Sequence, residues 1–314
     1  MRVRPLLALS AAALSALVLA GCSSAADDAA TPTASAASAD LCAGVLDSGA
    51  ASDAIEVTGE VGQEPAATFT APLEITDPQR TVVTEGDGEV IADGDLVNYA
   101  VTAFDVTTGE LLESAGYSEG EITPQPIVAQ SLLGQVLGCA SIGTRVVTTL
   151  PANGSTPAQI FVIDLLGTTP DAAWGEPQEP VDGLPTVTLD DAGAPTIEIP
   201  DTEAPTEVQL ETLKKGDGAV VEPGATVLVQ YTGVKWSDGS VFDSSWDRGT
   251  PASFATSGVV EGFKQALEGQ TVGSQVLVVV PPAFGYGASE GHELQNETLV
   301  FVVDILATTA PAAG

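Results

Sequence analysis

The chain has 314 residues and is strongly acidic, with 43 Asp and Glu against 9 Lys and Arg and a formal net charge of −34 at pH 7. A surface of this sign repels nucleic-acid phosphates and anionic lipid head groups, which excludes nucleic acid as a partner. One His and three Cys offer no zinc-type ligand spacing, so neither a metal nor a cofactor is expected.

The first element is a leader. Arg2 and Arg4 precede the apolar run "PLLALSAAALSALVLA", which is shorter than the roughly 20 residues a membrane span needs. A charged start, a short apolar core and small residues at the end describe a signal peptide over residues 1–21. "LAGC" at Leu19–Cys22 matches the bacterial lipobox, which makes Cys22 the expected lipidation site. The mature protein would then sit outside the cytoplasmic membrane, held there by lipid on Cys22. Cleavage removes two Arg and no acid, giving 7 − 43 = −36. After Cys22, Ser23–Asp40 reads "SSAADDAATPTASAASAD", which has almost no apolar bulk, and residues 22–52 are expected to form a disordered tether. With Cys22 lipidated, Cys42 and Cys139 are left in an oxidising compartment, either as a disulfide or as two separate thiols.

Beyond the tether the chain repeats itself. "GDGEVIADGDLVNYAVTAFDVTTGELLES" from Gly86 aligns without a gap with "GDGAVVEPGATVLVQYTGVKWSDGSVFDS" from Gly216, at an offset of 130. The same offset pairs "IGTRVVTTLPA" at Ile142 with "VGSQVLVVVPPA" at Val272, and "EPAATF" at Glu64 with "APTIEI" at Ala194. "FVIDLLGT" at Phe161 and "FVVDILAT" at Phe301 then match at an offset of 140, so the first copy lacks ten residues between about Pro151 and Phe161. Two domains of one fold follow, at residues 53–168 and 185–308, each large enough for its own core. Residues 169–184, rich in Pro, Gly and acid, are expected to link them, and 309–314 form a tail.

Each copy reads as α+β with a curved antiparallel sheet on one short helix. In the second copy, "TVLVQY" alternates, with Val227, Val229 and Tyr231 on one face. "SDG" at Ser237–Gly239 is a hairpin turn. "QVLVVV" and "TLVFVVDIL" are continuous apolar runs, the mark of buried strands. Val260, Phe263 and Leu267 recur at helical spacing in "VVEGFKQALEG", which Gly269 can close.

The second copy resembles the FKBP-type peptidyl-prolyl cis–trans isomerases. The resemblance is carried by "VQYTG" (229–233), "DGSVFDSSWDRG" (238–249), "VVEGFKQAL" (259–267), "VGSQVLVVVPPAFGYG" (272–287) and "TLVFVVDIL" (298–306), in family order over about 100 residues. It implies a sheet of about five antiparallel strands wrapped on the helix, and an enzyme acting on Xaa–Pro segments of unfolded secreted proteins. By resemblance Phe242 is a pocket wall, and Asp243 lies at the pocket edge, tied to Tyr231 and Arg248. Tyr286 hydrogen-bonds the substrate carbonyl on the side preceding the proline. Phe263 stands where the family usually has a Trp floor. Val259 and Val260 border the pocket, Val259 through its backbone, while Phe254 and Phe301 complete the aromatic lining. Two departures open this pocket: Ala252 replaces a frequent aromatic, and "GASEGHELQNETLVF" lacks the family's Ile-Pro-Pro, with Leu294 standing in for the Ile. Both departures bear on proline affinity and on binding of the macrolide ligands that the family also takes. Such chemistry needs no nucleophile, because no bond breaks.

In the first copy Tyr231 becomes Val101, Phe242 becomes Leu112, Asp243 becomes Glu113 and Phe263 becomes Leu133. Residues 53–168 therefore form a degenerate copy without the chemistry. The competing reading is a tethered peptide-binding holdase in which neither copy turns over. A hydrolase or metal enzyme built on Asp243 and Asp247 is excluded, since no general base, ligand cluster or oxyanion motif accompanies them.

Overall fold

A computed structural model describes residues 40–154 and 156–311. The signal peptide, the lipidation site Cys22 and the start of the tether lie outside the described residues. Among the described residues, no helix is long and apolar enough to cross a membrane.

The end of the expected tether is ordered, which corrects the reading of 22–52 as disordered throughout. Leu41 is buried in the first core, in a 3-10 turn Leu41–Gly44 whose Asp40 cap accepts the Cys42 N–H at 2.9 Å. Cys42 is bonded to Cys139, with Cα atoms 5.0 Å apart. Helix α1 (Ala50–Asp53) follows, and Gln79 Oε1 accepts from the Ala51 and Ser52 N–H groups. A composition average does not register three buried side chains, Leu41, Ala51 and Ser52, and one crosslink, and these hold the segment.

Among the described residues every strand pairing is antiparallel. In the first lobe β1 (Glu56–Thr58) and β2 (Ala66–Thr68) form a hairpin. The strands β3 (Gln79–Thr84), β4 (Leu96–Asp105), β5 (Leu111–Ala115), β6 (Gln125–Pro126), β7 (Arg145–Leu150) and β8 (Gln159–Thr169) make a six-stranded sheet in the order β3-β7-β8-β4-β5, with β6 beside β4. Helix α2 (Leu132–Leu137), capped by Ser131, packs Val136 and Leu137 onto one face.

The second lobe repeats this plan. Its sheet contains β9 (Glu176–Pro177), β12 (Gln209–Lys215), β13 (Thr226–Lys235), β14 (Val241–Ser244), β15 (Ala252–Ala255), β16 (Gln275–Val280) and β17 (Leu299–Thr309). The order is β14-β13-β17-β16-β12-β9, with β15 beside β13. A hairpin of β10 (Thr186–Leu189) and β11 (Pro195–Glu198) precedes it. Helix α3 (Ser245–Arg248) is a single turn after β14, and α4 (Glu261–Leu267) is the core helix. Gly269 takes φ 82°, turning the chain away behind α4.

The repeat extends to the register. β4 and β13, and β7 and β16, begin and end 130 residues apart, while β8 and β17 are offset by 140. Bulges fall at Ala103/Phe104 and Gly233/Val234, at Val82/Thr84 and Thr212/Lys214, and at Asn98/Tyr99 and Leu228/Val229. Even the short hairpins match: Glu56 faces Thr68 as Thr186 faces Glu198.

Each sheet is buried on both faces. In the second lobe α4 covers one face, where Phe263, Ala266 and Leu267 meet Val276, Val278, Val280 and Val303. The β10–β11 hairpin covers the other, where Ile197 joins Leu277, Val279, Val300 and Val302. This explains why β16 is buried along its whole length and why its sequence does not alternate. In the first lobe, β1–β2 covers Phe104, Val147, Ile160 and Val162 in the same way.

The segment 169–184, expected as a linker, is drawn into the second lobe. Ala173 is buried, and its N–H donates to Asp304 Oδ2 at 2.8 Å while its carbonyl accepts from Lys214 Nζ at 2.9 Å. Glu176 and Pro177 then pair with β12. A buried carboxylate needs donors, and the passing backbone supplies one.

Candidate functional site

The site is assembled where β13, β14, α3 and α4 meet. In a regular strand Phe242 and Asp243 would point to opposite faces. The bulge opposite Gly233/Val234 places an extra residue in β14 and breaks that alternation. As a result Phe242 reaches the Phe301 ring, with centroids 5.4 Å apart, while Asp243 reaches the Tyr231 hydroxyl. Gly233 makes this approach possible, because a Cβ there would lie 2.6 Å from Phe242 Cζ.

The chain then turns through α3. Ser244 caps it, its hydroxyl accepting the Asp247 N–H, and Gly249 ends it at φ 71°. One turn brings Arg248 back over β13. There Nη1 donates to Asp243 Oδ1, Nη2 donates to the Tyr231 hydroxyl at 2.9 Å, and the guanidinium lies 5.4 Å from the Tyr231 ring centroid. The Arg248–Asp243 pair is nearly half exposed, so it adds little stability. What it supplies is position. Burial raises the Tyr231 hydroxyl above its ordinary pKa, and the bond to Asp243 raises it further. Tyr231 therefore stays protonated and donates. Its backbone is held in turn by Ser245, whose hydroxyl accepts the Tyr231 N–H at 2.8 Å and donates to Gln230.

Helix α4 brings Phe263 under this group. Its ring meets Phe301 at 4.9 Å, Phe254 at 5.8 Å and Tyr231 at 6.0 Å, all edge to face. Phe254 also meets Tyr231 at 5.7 Å. Each such pair is worth roughly 0.5–1.5 kcal/mol beyond its buried area, so the rings hold one another rigidly. Val259, Val260, Ala252 and Tyr286 pack half-buried against the same core, and Leu294 is buried in it. The structure thus gathers Tyr231, Phe242, Asp243, Arg248 and Tyr286 with Phe254, Val259, Val260, Phe263, Leu294 and Phe301 around one face of the second sheet. Such an arrangement suits a compact apolar ring flanked by amide groups: aromatic edges receive the ring, and hydroxyl donors stand at its rim.

Sequence reasoning leaves several parts of this site unseen. The bulge is one; its signal is the glycine of "VQYTG" opposite "VFD". The Ser245–Gln230 support carries no signal, since both read as ordinary polar residues. The chain's one His, His292, reads as a surface residue. It is exposed, yet its ring stacks on Tyr286 at 4.1 Å and 3°.

The first lobe keeps the frame and loses the contents. Its bulge is present, but Leu112 at the Phe242 place is 51 % exposed, Glu113 is exposed, and Ala103 fills the place of Gly233. Eight residues join β7 to β8 where eighteen join β16 to β17, so the loop carrying Tyr286 has no counterpart.

Comparison with known proteins points to the second lobe. Residues 218–306 match the family described as FKBP-type peptidyl-prolyl cis-trans isomerase. Over 103 residues the chain is 38% identical to a probable FK506-binding protein of Corynebacterium glutamicum, a match spanning 32% of this chain and 87% of that protein. It is 38% identical over 108 residues to an FK506-binding protein of Streptomyces anulatus, spanning 33% and 87%. The outer membrane protein MIP of Legionella longbeachae is 37% identical over 110 residues, spanning 34% of this chain and 47% of that protein.

Proposed function

Because this chain belongs to the FKBP-type peptidyl-prolyl cis–trans isomerases, we propose that the Tyr231–Asp243–Phe301 face is its rotamase site. We further propose that it serves unfolded exported proteins outside the cytoplasmic membrane. The observation that carries the site is the hydroxyl–carboxylate–guanidinium clamp of Tyr231, Asp243 and Arg248, set beside interlocked Phe242, Phe254, Phe263 and Phe301.

An Xaa–Pro bond is held planar by resonance, with a barrier of about 18–20 kcal/mol. At the top of the barrier the amide is twisted and has lost much of its charge separation. An apolar aromatic pocket therefore accepts the twisted form better than the planar one, which lowers the barrier without any covalent step. The proline ring lies over Phe263 between Phe242 and Phe301, Asp243 orients the hydroxyl of Tyr231, and Tyr286 donates to a substrate carbonyl at the rim. FK506-type macrolides, which the names of two relatives carry, occupy the same face.

The first lobe is an accessory copy without turnover. The Cys42–Cys139 disulfide suits an oxidising compartment, and a relative named as an outer membrane protein suits the same location. Lipid on Cys22 would tether the enzyme there.

The test is cis–trans exchange of a Leu-Pro or Phe-Pro peptide by residues 23–314. The expected result is turnover at substoichiometric enzyme, lowered at least ~10-fold in kcat/KM by Asp243→Ala or Phe242→Ala, about 1.4 kcal/mol of transition-state stabilisation, with the fold intact. Wild-type rates in both variants would remove the assignment. A folded protein that binds longer clients stoichiometrically and shows no turnover would instead be a tethered holdase.

A further inference from the structure

The geometry points to His292 as a positioning residue for Tyr286, a role that rests on the rotamase site proposed above. The loop from Tyr286 to Glu297 folds on itself. The Ser289 N–H donates to the Tyr286 carbonyl at 2.9 Å, the His292 N–H to the Ser289 carbonyl at 3.0 Å, and the Gln295 N–H to the His292 carbonyl at 3.0 Å. Gln295 closes the knot by accepting from the Gly291 N–H at 3.1 Å and donating to the Gly287 carbonyl at 3.4 Å.

Within this knot the imidazole makes two contacts of different kinds. Its face lies parallel to the Tyr286 ring, 4.1 Å between centroids and 3° between planes. Its Nδ1 accepts the Leu294 N–H at 3.1 Å, which places the neutral ring's proton on Nε2. Leu294 is 4 % exposed and locked in the core that carries the aromatic floor. The imidazole is therefore a strut. One edge is fixed to an immobile backbone N–H, and the face holds the half-buried Tyr286 ring against swinging. Exposure of His292 leaves this strut open to solvent on its far side, so what keeps Tyr286 in place is the ring stack, which the Leu294 N–H orients, and not enclosure.

Three substitutions separate the two contacts. His292→Phe keeps a stacking ring and loses the acceptor. His292→Asn keeps an acceptor near the Nδ1 position and loses the ring. His292→Ala loses both. Because the chain has a single His, imidazole 15N and 1H signals of the labelled protein belong to this residue alone. The expected wild-type spectrum shows the Nε2–H tautomer and ring protons displaced upfield by Tyr286. The Tyr286 ring signals, identified through Tyr286→Phe, should move in His292→Ala and His292→Asn and largely stay in His292→Phe. In the peptide assay His292→Ala should lower kcat/KM about 3–10-fold, chiefly through KM, with the ring retained in His292→Phe restoring most of it. A merely structural His would leave the KM-against-kcat split and the rescue by Phe unmoved. Unshifted Tyr286 signals in His292→Ala would overturn the proposal whatever the activity. So would wild-type kcat/KM in His292→Ala. A wild-type protein that shows the stacked-ring spectrum yet no turnover would instead overturn the rotamase reading on which the role depends.

Discussion

Positions 145 and 275 hold the same place in the two copies and meet the same demand with different chemistry. Arg145 is 1 % exposed and paired with the buried Asp164. Its remaining N–H groups donate to the carbonyls of Gly59, Glu60 and Gln63 at 2.8–2.9 Å, and Asp164 Oδ2 accepts the Gly62 N–H. The clasp thus ties the β1–β2 turn to the sheet. Gln275 instead donates to Asp304 at 2.7 Å, and Asp304 fixes the passing chain at Ala173. Without an arginine beside it, Asp304 is raised above the ordinary carboxylate range by burial, against the opposing pull of the Ala173 N–H, Gln275 and Lys214. An acid raised in the folded state binds its proton more tightly folded than unfolded. Its contribution to stability is full below the unfolded pKa, about 3.9, and is lost as pH rises through the folded value. Urea unfolding of wild type and Asp304→Asn across that window should show the wild-type advantage shrinking with rising pH. A constant difference would contradict it.

Among the elements, β14 shows how little backbone change makes a site. The same bulge occurs in β5, where it aims Leu112 at solvent. The difference lies in the residues at the bulge: Gly233 admits the Phe242 ring, whereas Ala103 stands in its place beside a bulge that carries Leu112. Gly233→Ala should therefore cost about 1–3 kcal/mol through overpacking, because its Cβ would sit within 3.0 Å of both Phe242 and Phe301. Adding Phe242→Leu, the pairing the first lobe uses, should return the stability by thermal denaturation and leave the peptide assay silent. Recovery of activity in the double variant would refute this account of the wall. Alternation in "TVLVQY" and the helical spacing of Phe263 and Leu267 were legible because one face of each element carries the signal. The hairpins over the second sheet face were not. Three- and four-residue strands rich in Thr and Glu have too short a pattern to read, although the continuous runs of β16 and β17 already imply that something covers them.

For the molecule as a whole, the first lobe carries the crosslink and the second carries the chemistry. Cys42 and Cys139 close a separation of 97 residues, so the bond restricts the unfolded chain strongly. Replacing both by Ser should destabilise the first lobe by about 2–4 kcal/mol. Hydrogen exchange should then speed up in 41–53 and α2, while turnover at the second lobe stays as in wild type. Unchanged protection in both segments would show that packing alone holds the tether end. Contact between the lobes rests on Leu96, Leu228 and Leu306, and on the Ala310 N–H donating to the Gly120 carbonyl at 3.2 Å.

By itself the sequence determined the duplication and the antiparallel α+β plan of each copy, which follow from periodicity and residue type and are local. The residues proposed for the site in the second copy, and their replacements in the first, were marked by the family resemblance. Only the tertiary structure decided how Phe242 and Asp243 come to share a side and how Arg248 returns over Tyr231, that His292 braces Tyr286, and that residues before 53 join the first lobe and residues after 169 the second. Each of those depends on a bulge, a single helical turn, a ring stack or a buried partner from a distant segment, and such contacts leave no repeating mark along the chain.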